Sequence, residues 1–263
     1  SKKETLIRSM PLMAMMAAIN VIFSLFTAFV PFLSVVLIIF IPLTSTLVEV
    51  YCKDRYFPIY AIATLGLSIV VSLSAIDFTL FYLIPSIITG YIFGLMAKKK
   101  LKPVWAISIA TIAQAALLFA FVPLIELIAE KNIINDIVGL FGQAGWRNLG
   151  DYVIVIFFLI SLIQIILSYI VVNAELSKLG IERRKLTDFN SKISYYIFGS
   201  IALSIPLLFI YKGLSYFFVV YSIFLALFLL AKFIDEKSYK KLIISGVSIF
   251  LNIFVFAIFN PLM

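Results

Sequence analysis

The chain consists of long apolar runs separated by short polar gaps, and its basic residues are confined almost entirely to alternate gaps. The gaps 2–8, 53–55, 98–102, 178–192 and 232–241 hold 18 of the 21 Lys and Arg residues. The intervening gaps hold only Lys131, Arg147 and Lys212. Cytoplasmic loops of membrane proteins carry such an excess of Lys and Arg. The pattern therefore predicts a multi-pass membrane protein whose N-terminus and basic gaps face the cytoplasm.

The lengths of the apolar runs predict an all-α, polytopic membrane protein with about nine spans, because a helix crosses a bilayer with roughly 20 mostly apolar residues. The predicted spans are 10–29, 32–50, 57–76, 79–97, 104–127, 152–174, 193–211, 214–231 and 242–260. The first run follows basic residues as a signal peptide would, but it lacks a clear cleavage site and a second span follows at once, so we expect it to be retained. The residue before a proline disfavours the helical region, which predicts a break at Val30-Pro31.

The most polar stretch of the chain, 175–192, divides the spans into six and three. We accordingly predict a six-helix membrane core over 1–174, a cytoplasmic basic linker over 175–192 and a three-helix membrane extension over 193–263. The two parts show no strong internal repeat, which argues against an inverted-repeat secondary transporter.

Composition excludes several classes of chemistry. The chain is 63% hydrophobic, whereas soluble proteins are roughly 45–50% apolar. Its net charge of +8 is scattered beside the spans, which suits membrane topology and anionic lipids better than nucleic acid. Histidine is absent and Cys52 is the one cysteine, which excludes an internal disulfide, a Cys/His metal site and a Ser-His-Asp triad. No G-x-x-x-x-G-K-[ST] loop occurs, so nucleotide-driven work requires a partner. We expect no enzymatic activity, cofactor or metal.

Charged residues are nearly absent from the span centres, and Glu49, Asp77, Glu126 and Asp151 fall near predicted membrane edges. Each carboxylate alone is interpreted as a solvated edge group. Together, however, Asp77, Glu126 and the run Trp146-Arg147-Asn148 lie on the predicted outer side, where they form a candidate site for a polar solute. The segment 128–151 between two spans is either a connecting loop with an interfacial Trp or a lid over that site.

Small and amide side chains mark candidate helix contacts. Ala14 and Ala18 share one face of the first span, with Ala17 beside them, and such a face lets another helix approach closely. It is a candidate docking surface for a partner helix. We interpret Gly90, Gly94, Asn20 and Gln114 as helix-packing residues, with ligand contact as the alternative for Asn20 and Gln114.

The N-terminal half resembles a known group of membrane proteins. The segment LIRSMPLMAMMAAINVIFSLF is similar to the first helix of the substrate-binding S components of energy-coupling factor (ECF) vitamin transporters, and the Pro42 region and the Ile-Pro-x-x-x-x-Gly segment ending at Gly90 resemble the YybS-like group. The resemblance covers roughly residues 5–125. It implies that Ala14 and Ala18 dock a transmembrane coupling subunit that works with ABC-type ATPases. S components have six spans, whereas three further spans follow residue 192 here.

These observations favour a membrane-embedded subunit that binds a small, vitamin-like solute for uptake in a bacterial plasma membrane. Separate ATPase and coupling subunits would supply the energy. Two alternatives remain open at this stage: a non-catalytic membrane scaffold of a cell-envelope assembly, and a lipid-handling membrane protein.

Overall fold

A computed structural model describes residues 2–29, 31–72, 76–129, 152–178, 185–190 and 192–259 of the chain. These residues form nine α-helices, and no strand occurs among them. The helices are α1 (Lys2–Phe29), α2 (Pro31–Tyr51), α3 (Phe57–Val71), α4 (Ile76–Lys98), α5 (Pro103–Ala129), α6 (Val153–Lys178), α7 (Ile193–Ile210), α8 (Lys212–Asp235) and α9 (Tyr239–Phe259). A short 3₁₀ turn, Asp54–Tyr56, precedes α3.

The prediction of a helical membrane protein is confirmed for this part of the chain. Six segments are long and apolar enough to cross a bilayer, namely Ser9–Phe26, Asp54–Val71, Pro103–Leu124, Val153–Glu175, Ile193–Ile210 and Lys212–Asp235. Shorter apolar stretches, Phe40–Tyr51 and Tyr82–Lys98, lie in α2 and α4. Large apolar side chains are exposed on many helices, with Leu127 79% and Phe209 84% exposed. Lipid, unlike water, accommodates such surfaces without cost.

Most helix bounds lie within about four residues of the predicted spans, but α1 begins at Lys2, well before residue 10, and α3 ends early. We predicted a span to residue 76, whereas α3 ends at Val71 and α4 begins at Ile76. Ser72 leaves the helical region with φ −111° and ψ 36°, and its hydroxyl donates to the carbonyl oxygen of Ser68 at 2.6 Å. Apolar character continues across this turn, so hydropathy alone could not locate it.

The chain forms two compact units. Unit 1 comprises Ser1–Leu101, Trp105–Ile133 and Ile160–Arg183, and unit 2 comprises Lys102–Val104, Ile134–Leu159 and Arg184–Met263. Unit 1 therefore holds α1 to α4 with most of α5 and α6. Unit 2 holds α7 to α9 with the first residues of α6.

Helices α2 and α4 of unit 1 are in close backbone contact. A Cβ atom added at Gly90 would lie 2.5 Å from the Cβ of Ser45 and 2.7 Å from the carbonyl oxygen of Pro42. One added at Gly94 would lie 2.6 Å from the Cβ of Glu49. Only glycine allows the two backbones to approach this closely. Helix α1 packs against α2, α3 and α4 and completes this four-helix group.

Unit 2 is built on a hairpin of α7 and α8, and α9 packs against α8. Tyr211 is extended (φ −153°, ψ 106°) and forms the link between α7 and α8. The hydroxyl of Ser215 donates to the carbonyl oxygen of Ser204 at 2.7 Å across this hairpin. Phe158 packs edge-on against Phe217, with ring centroids 5.1 Å apart. The one-residue link at Tyr211 therefore makes α7 and α8 adjacent antiparallel helices.

Candidate functional site

A hydrogen-bond network joins three helices in the interior of unit 1. The Asn20 side-chain nitrogen on α1 donates to the Tyr60 hydroxyl on α3 at 2.8 Å. The Thr44 hydroxyl on α2 donates to the Asn20 side-chain oxygen at 2.7 Å. The Ser45 hydroxyl lies 3.2 Å from the Tyr60 hydroxyl. The four side chains are at most 5% exposed. Their groups satisfy one another, so this network serves chiefly to hold α1, α2 and α3 together.

An ionic cluster lies where α2 ends and α4 ends. The Lys98 ammonium donates to Glu49 Oε1 at 2.8 Å, to Asp54 Oδ1 at 2.6 Å and to the Cys52 carbonyl oxygen at 2.8 Å. All three donors of the lysine are therefore used. The Glu49 side chain is fully buried, whereas Lys98 is 27% exposed and Asp54 56% exposed. Glu49 is thus no solvated edge group, contrary to our prediction, because Lys98 and the close approach at Gly94 enclose it.

Two polar faces run along the middle of α5 and α6 in unit 1. Each face carries two hydroxyl residues and one glutamine at spacings of three or four, which places them on one side of a helix. All six side chains are at most 1% exposed: Ser108, Thr111 and Gln114 on α5, and Ser161, Gln164 and Ser168 on α6. Both glutamines are 11 residues from the start of their helices, or about 16 Å. A residue that far from the helix start lies near the midplane of a hydrocarbon core that is roughly 30 Å thick.

Gln114 connects the two faces, since its side-chain nitrogen donates to the side-chain oxygen of Gln164. The Gln114 oxygen is buried and has no hydrogen-bond partner among the residues that the structure describes. Rotating the amide by 180° does not change this conclusion, because one end meets Gln164 and the other end still requires a partner. An amide oxygen without a donor costs several kcal/mol in the hydrocarbon region, by a general estimate of roughly 2–7 kcal/mol.

The hydroxyls around Gln114 share this property. Ser108, Thr111, Ser161 and Ser168 are buried, and within the described part of the chain none of them makes a hydrogen bond. Hydroxyls in membrane helices commonly donate to a carbonyl one turn earlier, as Thr46 does to Pro42 at 2.7 Å. Buried polar groups without a partner instead suit a polar molecule that binds beside the Gln114–Gln164 contact.

The sequence predicts a packing or ligand role for Gln114 but does not by itself show that the polar residues form two rows. Thr111 and Gln164 also stand out as polar residues in the middle of predicted spans, but the serines are ordinary in membrane helices and do not. The signal was their shared spacing: Ser108, Thr111 and Gln114 recur every three residues, and Gln164 has serines three residues before it and four after it.

The predicted docking residues on α1 separate into two faces. Ala14 and Ala18 are exposed, whereas Ala17 is 5% exposed and belongs to the buried core of unit 1. Met10 and Ile22, one turn before and after the alanines, are 51% and 48% exposed. The open surface is therefore the row at 10, 14, 18 and 22, and Ala17 packs inside the unit.

The structure describes only part of the predicted outer site. Asp77 lies in the first turn of α4, but its side chain is outside what the structure describes, as are Trp146, Arg147 and Asn148 with most of segment 128–151. Glu126 lies near the end of α5 and is partly buried. Its Oε1 atom is buried and finds no hydrogen-bond partner in the described ranges.

Comparisons of this chain with protein-family models, with curated proteins and with solved structures find no match. The geometry of unit 1 is therefore the basis for a functional proposal.

Proposed function

We propose that this protein is the membrane-embedded, solute-binding subunit of an uptake transporter whose ATPase and coupling subunits are separate chains. In this proposal the chain crosses a bacterial plasma membrane about nine times and its N-terminus is cytoplasmic. The bound solute is small, polar and vitamin-like, as in the S components of ECF transporters that the N-terminal half resembles. The observation that supports the proposal most is the unpartnered oxygen of Gln114 near the membrane midplane.

The chemistry of the polar faces defines the proposed solute. Hydroxyl and amide groups exchange hydrogen bonds with neutral polar groups, and no charged side chain lies among the six residues of these faces. A solute with N–H or O–H donors would satisfy the Gln114 oxygen, while its acceptors would receive protons from the serine and threonine hydroxyls. Each hydrogen bond to the solute would remove the desolvation penalty of a buried polar group that otherwise has no partner.

The outer residues would form the entrance to this site. Glu126 lies toward the end of α5, about three turns beyond Gln114 at about 3.6 residues per turn, and carries a buried carboxylate oxygen that is open to a partner. Asp77, Trp146, Arg147 and Asn148 belong to the same predicted side. Trp146 would stack on a ring of the solute and Arg147 would bind a carboxylate or phosphate.

The exposed row on α1 is the proposed contact with the coupling subunit. Ala14 and Ala18 present little bulk, so a partner helix can approach the α1 backbone and gain van der Waals contact. Leucine at both positions would hold that helix away, and because both side chains point outward it would leave unit 1 intact.

We predict that Ala14→Leu/Ala18→Leu removes ATPase and coupling subunits from the complex purified by a tag on this chain. Identification of an ATPase that carries a G-x-x-x-x-G-K-[ST] loop, by mass spectrometry, checks the result. Ala116→Leu/Ala120→Leu is the matched control, since these alanines have the same spacing and are exposed on α5. Equal recovery of the partners with both double variants would exclude the α1 face as the contact.

A further inference from the structure

Unit 2 contains a cavity of about 120 Å³ between α7, α8 and α9. Its walls are mostly apolar: Ile197 and Phe198 come from α7, and Leu229 and Phe233 come from α8. Ile197 is buried, whereas Phe198 is 63% exposed and marks an open side. A cavity with apolar walls that opens on the apolar exterior of a membrane protein suits a hydrocarbon chain.

Two polar side chains of α9 are placed one turn apart on this cavity. Ser245 is 3% exposed, and its hydroxyl makes no hydrogen bond to any residue that the structure describes. Lys241 is exposed, lines the cavity and places its ammonium 5.7 Å from the centre of the Phe233 ring. The cavity thus carries a cation at its mouth and an unused hydroxyl roughly 6 Å further along the helix.

The acidic groups near the mouth are engaged elsewhere, so Lys241 is available to a ligand. Glu236 lies 3.6 Å from the Lys232 ammonium, and Asp235 accepts a hydrogen bond from the Thr187 hydroxyl at 3.0 Å. None of the described carboxylates pairs with Lys241. Helix α9 begins two residues before Lys241, and the first backbone N–H groups of a helix favour an anion.

We propose that this cavity binds an anionic phospholipid, independently of the transport proposal. The phosphate lies at Lys241, the Ser245 hydroxyl donates to an ester carbonyl oxygen, and the start of one acyl chain fills the apolar part between Ile197 and Phe233. The order of these groups from mouth to interior is the order in a phospholipid. The same end of unit 2 holds the basic gap 232–241, which the charge pattern assigns to the cytoplasmic leaflet, where anionic lipids concentrate.

Native mass spectrometry of the purified full chain with added lipid tests the proposal. We expect phosphatidylglycerol to bind more tightly than phosphatidylcholine with the same acyl chains. Lys241→Gln should weaken phosphatidylglycerol binding about fivefold, which is the effect of losing one lysine near a headgroup. Lys241→Arg should keep the affinity. Lys240→Gln is the matched control, because Lys240 is exposed and lies outside the cavity lining, and it should change the affinity less than twofold.

A second variant tests the apolar part without altering charge. Ser245→Leu fills the cavity and should reduce retention of phosphatidylglycerol, with thermal unfolding measured to confirm that the variant folds. Three results would overturn the proposal. The first is an equal loss of phosphatidylglycerol affinity in Lys240→Gln and Lys241→Gln, and the second is equal binding of phosphatidylglycerol and phosphatidylcholine. The third is displacement of phosphatidylglycerol by glycerol phosphate at the same concentration as the lipid. The last result would indicate a site for a soluble anion.

Discussion

At the scale of single residues, the strongest constraint is the burial of the Glu49 carboxylate beside Lys98. One of its oxygens accepts from Lys98, and the other is buried with no partner in the described part of the chain. Lys98 also binds Asp54 and the Cys52 carbonyl, so it connects α4 to the segment between α2 and α3. Removing one partner of a buried ion pair costs far more than the pair contributes, because an uncompensated charge remains.

We predict that Lys98→Met lowers the free energy of unfolding by about 3–5 kcal/mol, because it leaves the Glu49 charge buried without a cation. Lys99→Met is the control, since Lys99 is exposed, and it should change stability by less than about 0.5 kcal/mol. Denaturation in detergent measures both values. The double variant Glu49→Leu/Lys98→Met should recover most of the loss. An equal, small effect of both single lysine variants would contradict the burial of this pair.

At the scale of helices, the pairing of α2 with α4 depends on two glycines. A Cβ atom added at Gly90 would lie 2.5 Å from the Cβ of Ser45, and one added at Gly94 would lie 2.6 Å from the Cβ of Glu49. Non-bonded Cβ atoms in proteins essentially never come this close. The opposing atoms belong to the backbone and the first side-chain carbons of α2, which cannot rotate away. Any side chain at either position therefore moves the helices apart.

We predict that Gly90→Ala and Gly94→Ala each destabilise the protein by about 1–3 kcal/mol, the usual cost of overpacking. Gly66→Ala on α3 is the control, since its Cβ would meet nothing within 4 Å. That substitution should stabilise by about 0.5–1 kcal/mol because alanine restricts the unfolded chain. Thermal unfolding of the three variants gives the comparison. Stabilisation by all three would show that α2 and α4 are not in backbone contact.

The helices themselves could be predicted from the sequence more completely than their contacts. Apolar runs located most helix ends, since these depend on local chemistry. The predicted break at Val30-Pro31 involves Val30, which lies outside the described residues. The burial of Glu49 could not be predicted, because it depends on a lysine 49 residues away. The separation of Ala17 from Ala14 and Ala18 likewise required knowing which side of α1 faces the unit.

At the scale of the whole molecule, orientation in the membrane rests on the distribution of basic residues. Cys52, the one native thiol, lies in a predicted cytoplasmic gap, where a reactive thiol would report the side of the membrane. The structure shows that it is 6% exposed, and burial raises the pKa of its thiol. Since the thiolate is the reactive form, slow labelling of Cys52 would not report its side of the membrane.

We therefore predict the outcome for introduced cysteines in a Cys52→Ser background. Lys53→Cys should react with an impermeant maleimide only after the cells are permeabilised, whereas Lys212→Cys should react in intact cells. Both lysines are exposed and lie in gaps assigned to opposite sides. Mass-tagging on gels measures the extent of reaction. The reverse pattern would invert the topology, and labelling of both in intact cells would contradict the alternation of spans.

The transport proposal places a small polar solute between the faces of α5 and α6 in unit 1. The most direct measurement is mass spectrometry of the compounds released by denaturing protein purified from its source membranes. We predict that the wild-type protein and Ala116→Leu, an exposed variant of α5, release equal amounts of one compound. Gln114→Leu/Gln164→Leu, which replaces both amides and keeps thermal stability, should release none. Equal release from the double variant, or no compound from the wild-type protein, would show that no solute binds between α5 and α6.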